Sequence, residues 1–104
     1  MYRPRTDHAL TDYIRPVVRY AVSEIRRCGA VSWSDVETVC GDGRRLSVFE
    51  DRCVLLGITK RSICQTNTGV QIVGYTIGDR DLFDYVCGLL RRLSVFTFFR
   101  FVKQ

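Results

Sequence analysis

Arginine is the residue type in this chain best equipped to do chemistry. Only Lys60 and Lys103 among its 16 Lys and Arg residues are lysines, and arginines pair at Arg26-Arg27, Arg44-Arg45 and Arg91-Arg92. A guanidinium is planar, permanently charged, and forks onto phosphates and guanine edges. The formal charge of +5 and a pI of about 9.2 favour an acidic partner such as nucleic acid. An arginine-rich composition also follows from a GC-rich genome, and each pair has a plain alternative as a solvated face.

The other reactive side chains point away from catalysis. His8 is the sole histidine, with no nucleophile or acid patterned around it. Cys28, Cys40, Cys53, Cys64 and Cys87 are odd in number and form no C-x-x-C pair, so zinc ligation of the usual spacing is not expected. Buried, reduced thiols in an intracellular protein are the expectation, with one left over that can bridge two subunits. Asp79 and Asp81 read as helix caps rather than an acid pair. The expectation is a non-enzyme holding no metal and no cofactor.

The elements that must position these arginines follow from spacing. A length of 104 residues and 46% hydrophobic content fit one packed domain, 1–104, with 1–7 as a loose arm. Leu10, Ile14, Val17, Val18, Ala21, Val22 and Ile25 define the stripe of a first helix, 12–28, ended by Gly29. Pro16 falls in its first turn, where no backbone N–H is required. Ala30 to Ser32 is a short extended piece. Ser34-Asp35-Val36-Glu37 reads as a capping box opening a second helix, 34–40, with Trp33, Val36 and Val39 available to the core. Gly41-Asp42-Gly43 is a turn. A third helix, 44–56, carries Leu46, Phe49, Cys53 and Leu56 inward.

Near Ile58 the period changes to two, and 58–77 reads as a hairpin with its tip at Thr66 to Gly69. A last helix, 79–102, carries Leu82, Val86, Leu89 and Leu93; its aromatic tail fits helical or extended backbone equally. Cys40-Gly41-x-x-Arg44-Arg45-Leu46-Ser47-Val48-Phe49 recurs as Cys87-Gly88-x-x-Arg91-Arg92-Leu93-Ser94-Val95-Phe96, one short echo rather than a solenoid. Met1 to Asp12 lacks the apolar core of a signal peptide. Leu89 to Val102 is too short to span a bilayer and is broken by Arg91, Arg92 and Arg100. The expectation is a soluble, cytoplasmic protein without a membrane partner.

The order of helix, short strand, helix, turn, helix, hairpin and helix resembles the winged-helix (winged helix-turn-helix) superfamily. The residues carrying it run from Val31 to Ile77, most tellingly Phe49 to Arg61. The resemblance implies an α+β fold: a three-helix core, a two-stranded β-wing and a C-terminal helix. It further implies duplex DNA binding with the third helix in the major groove. The implied DNA face comprises Ser34, Arg44, Arg45, Ser47, Arg52, Lys60, Arg61, Gln65, Asn67 and Thr68. A terminal helix often pairs with its twin in such proteins, so Leu82, Val86, Leu89, Leu93 and Phe96 are the expected homodimer contacts. Transcription regulation is the function expected. Glu50 and Asp51, read as outward-facing on the third helix, oppose phosphates and keep open the alternative of a protein-interaction module with a protein partner.

Overall fold

The computed structural model describes residues 13–65 and 67–102, with side chains described for all of these except 65 and 94–102. The N-terminal arm, Leu10, His8 and Phe96 lie outside the described side chains. The chain is an α+β fold of four α-helices and a three-stranded antiparallel sheet among the described residues.

Helix α1 (Arg15–Cys28) buries Val17, Val18, Ala21, Val22 and Ile25 on one face, and Pro16 occupies its first turn. Arg26 and Arg27 in the last turn complement the negative end of the helix dipole. Strand β1 (Ala30–Ser32) leads directly into α2 (Trp33–Cys40). The cap of α2 is Ser32, whose Oγ accepts from the Asp35 N–H at 3.0 Å. The capping box expected at Ser34 and Glu37 is therefore displaced by two residues. Ser34 is already helical, and its carbonyl accepts from Thr38 Oγ1 at 3.0 Å. The reason is tertiary: β1 pairs with a distant strand as far as Ser32, so extended backbone ends there and the helix begins.

Asp42 caps α3 (Gly43–Arg52), accepting from the Arg45 N–H at 2.7 Å. The expected helix 44–56 is α-helical only to Arg52. It then tightens into a 3-10 turn, Cys53–Leu56, which still carries Cys53 and Leu56 into the core. Gly57 follows with φ 73°. A Cβ there would stand 2.6 Å from both the Asp79 carbonyl oxygen and the Phe83 nitrogen, so the last helix can pack down only on a glycine.

Strands β2 (Ile58–Gln65) and β3 (Val70–Ile77) pair from Ile58↔Ile77 to Gln65↔Val70. The short piece expected at Ala30 to Ser32 is a third strand. β1 lies on the other edge of β3, pairing Ala30↔Thr76, Val31↔Tyr75 and Ser32↔Gly74, for a strand order β1-β3-β2. Thr76 Oγ1 reinforces this seam by donating to the Gly29 carbonyl at 2.8 Å.

Asp79 caps α4 (Arg80–Val102), accepting from the Leu82 N–H at 3.1 Å. The helix continues through the aromatic tail. Its buried face is Phe83, Val86, Cys87 and Leu90, which join Val17, Val18, Phe49, Leu56 and Tyr75 in a single core. Phe49 meets Tyr75 edge-on, with ring centroids 5.2 Å apart at 86°.

Candidate nucleic-acid interface

The outer face of α3 begins at a helix N-terminus, where unsatisfied N–H groups favour anions. Arg44, Ser47 and Asp51 are exposed there at intervals of three and four, so they share one stripe. Val54 extends it onto the 3-10 turn at 79% exposure.

Arg45 does not belong to this stripe. Its Nη1 donates to the Cys40 carbonyl at 3.3 Å, and its guanidinium lies 5.1 Å from the Tyr13 ring centroid. Its Nε is buried without an acceptor. The side chain ties the start of α3 to the end of α2 and the segment before α1. It was expected at the DNA face because neighbouring arginines read alike in sequence. Helical geometry places them about 100° apart, one outward and one inward.

Glu50 also departs from expectation, in the opposite sense. Sequence pattern places it outward and repulsive to phosphate; in the fold it is half-buried between α3, α2 and the sheet. Its carboxylate accepts from Lys60 Nζ at 2.9 Å and from Trp33 Nε1 at a long 3.4 Å. It also lies beside the buried Tyr75 hydroxyl, which has no hydrogen-bond partner of good geometry. Burial first, and then the Glu50 charge, hold Tyr75 ionisation well above the ordinary phenol range. Lys60 is consequently neutralised by Glu50, whereas Arg61, its neighbour on β2, is exposed.

The remaining expected contacts are scattered. Arg52 is half-buried and engaged within the chain. Ser34 is exposed on the first turn of α2. Asn67 and Thr68 are exposed at the hairpin tip, where Thr68 Oγ1 accepts from the Val70 N–H at 3.3 Å. The side chain of Gln65 lies outside the described ones. Arg44, Ser47 and Arg61 are thus exposed on α3 and β2, while Arg45 and Lys60 are turned to internal partners. A half-buried, inward-turned carboxylate at position 50 is the feature that sequence pattern does not reveal. Its signal was adjacency to Phe49 and a three-residue step to Cys53, at the border of the apolar stripe.

On α4, Leu82, Leu89 and Leu93 are half-buried and share one helical side. Val86 is 0% exposed and packs into the chain's own core, so it is not available to a second copy. That expectation is corrected: an apolar helical stripe does not distinguish a partner from the rest of the same chain.

The thiols are chemically quiet where they are buried. Burial pushes Cys53 up to about 12, with Glu50 adding to it, and also raises Cys40 and Cys87. Cys28 and Cys64 are exposed. Among the described residues, no group of three or more His, Cys, Asp or Glu is placed to hold a metal ion, and no helix is long and apolar enough to cross a membrane. No family model, curated protein or solved structure matches the chain.

Proposed function

We propose that this chain is a winged-helix domain that binds double-stranded DNA as a homodimer and acts as an intracellular transcription regulator. The observation that carries the reading is connectivity. A short strand between the first two helices pairs with the returning strand of a hairpin that follows the third helix. In this reading α3 lies in the major groove, and Arg44 and Ser47 face phosphates and base edges. Asp51, beside them, accepts from a cytosine amino group rather than meeting phosphate. Arg61, Asn67 and Thr68 put the hairpin on the flanking backbone, and Ser34 donates to phosphate from α2. The half-exposed edge of the α4 apolar face, at Leu82, Leu89 and Leu93, meets its twin.

Binding to random duplexes at two salt concentrations, with recovery of the bound sequences, tests the proposal. Affinity should fall steeply with salt as phosphate-bound counterions are released. An affinity indifferent to salt, or recovery of no preferred sequence, would count against it.

A second reading has one specific observation behind it. With Arg45 and Lys60 turned to internal partners, the α3–hairpin side carries less free positive charge than its sequence promises. That suits a protein-interaction module in a larger assembly. A stoichiometric protein partner, recovered alongside no shift of duplex DNA, would place it ahead.

A further inference from the structure

Among the described residues, a cluster of arginines without carboxylate partners lies away from α3. A groove of about 510 Å³ runs between α1 and α4, edged by Arg19, Ser23 and Arg26 from one helix and Arg91 from the other. Arg19, Ser23 and Arg26 step by four and three, so they share a face of α1. Among the described residues no carboxylate pairs with Arg19, Arg26 or Arg91, and the shielded Nε–H of Arg19 has no acceptor. Arg27 also borders the groove but is held by Glu24 at 2.6 Å. Arg26 and Arg91 both act on the Cys87 thiol, pulling its titration down against burial and the opposing charge of Asp84. Guanidiniums from two different helices thus line the groove over Cys87.

The floor decides what kind of ligand fits. Val22, Cys87 and Leu90 are only 4%, 9% and 7% exposed, so these three floor side chains leave a greasy anchor little of their own surface to cover. What the groove offers is guanidinium forks and one hydroxyl, which match phosphate oxygens. We infer that the α1–α4 groove binds a small anion carrying two or more linked phosphates, such as a polyphosphate or the di- or triphosphate end of a nucleotide, through Arg19, Arg26 and Arg91. The site uses neither α3 nor the hairpin, so it stands independently of the DNA-binding proposal.

Tripolyphosphate is the probe, followed by backbone amide shifts and by calorimetry on the full chain. The shifts should concentrate at Ser23, Arg26, Cys87 and Arg91. Arg26→Gln with Arg91→Gln, both exposed positions, should keep the wild-type circular dichroism and weaken affinity about tenfold for each guanidinium lost. Arg44→Gln should leave tripolyphosphate affinity unchanged. Shifts concentrated on α3 or the hairpin, or a loss with Arg44→Gln equal to that of the double variant, would overturn the assignment. Excess duplex DNA provides the second arm. Simultaneous binding of duplex and tripolyphosphate supports a small-ligand site. Displacement of tripolyphosphate, with the duplex shifting the same groove amides, assigns those phosphates to a nucleic-acid backbone and overturns it.

Discussion

Glu50 on α3 holds Lys60 on β2 at 2.9 Å, and the same carboxylate lies beside the hydroxyl of Tyr75 at the centre of the sheet. The ion pair itself contributes little to stability. Its side chains are 45% and 32% exposed for Lys60 and Glu50, and pairs so hydrated are worth at most ~1 kcal/mol. Its effect is on charge placement, since it withdraws a cation from the α3–hairpin side and sets a negative charge next to a buried phenol.

That arrangement gives an alkaline signature. Tyr75 and Cys53 both have folded-state ionisation raised above their ordinary values of 10.0 and 9.0, Cys53 to about 12. A raised group contributes stability fully below its unfolded value, and that stability is lost as pH rises through the folded value. Unfolding free energy should therefore be insensitive to these two groups below about pH 9. Above it, stability should decline by up to about 1.4 kcal/mol per pH unit for each group in its window. Tyr75→Phe removes a buried hydroxyl without a well-formed partner. It should leave stability at neutral pH within ~1 kcal/mol of wild type and make the alkaline decline shallower. Denaturant titrations across pH measure both; a neutral-pH loss above ~2 kcal/mol would mean that the phenol donates to Glu50 after all.

Arg44 and Arg45 should separate cleanly on substitution. Arg44→Ala changes an exposed position, so stability should move by less than ~0.5 kcal/mol while duplex affinity falls several-fold and the salt dependence becomes shallower. Arg45→Ala removes the contact to the Cys40 carbonyl and the stacking on Tyr13, and should cost about 1–2 kcal/mol of stability. Thermal melts and fluorescence anisotropy on a labelled duplex are the two readouts. Equal effects of the two variants on both would contradict this division.

The centre and the edge of the α4 apolar face should also behave differently. Val86→Asp places a carboxylate in the apolar core and should unfold the domain or cost at least ~3 kcal/mol. Leu89→Asp changes a half-buried residue at the edge of the same apolar face, about 60° round the helix from Val86. It should lower association measured by sedimentation while the circular dichroism spectrum stays native. A native-like dimer that persists in the Leu89→Asp variant would move the self-association surface away from α4.

Two glycines should respond to alanine with opposite signs. Gly57→Ala meets backbone atoms at 2.6 Å and requires a left-handed alanine, so a loss of roughly 2–4 kcal/mol is expected. Gly88 lies inside α4 with open space at its Cβ position. Gly88→Ala should raise stability by up to ~1 kcal/mol, from helix propensity alone. Chemical denaturation of both variants checks the pair.

The repeated decapeptide shows how far local pattern carries. Cys40-Gly41 and Cys87-Gly88 precede the same Arg-Arg-Leu-Ser-Val-Phe, yet Gly41 turns left-handed at φ 81° while Gly88 continues a helix. The intervening residues decide: Asp42-Gly43 supplies a cap and a break, whereas Leu89-Leu90 supplies helix formers with a core to join. Helix and hairpin positions were legible because spacing alone specifies them. The cap of α2 was not, since Ser34-Asp35-Val36-Glu37 reads as a capping box while pairing of Ser32 with Gly74 ends the strand there and makes Ser32 the cap. The inward Glu50 and the core position of Val86 were hidden for a related reason. Periodicity identifies a face but not what covers it.

Strand β1 reaches only Gly74 to Thr76 of its neighbour, leaving Val70 to Val73 bonded on the β2 side alone. The hairpin is thus a cantilever: clamped at its base by a strand from more than forty residues earlier, and cross-braced on one side only towards its end. With fewer cross-strand bonds to break, the end of the ribbon near Asn67 should open at lower free energy than its base, which is pinned beside the Phe49–Tyr75 contact.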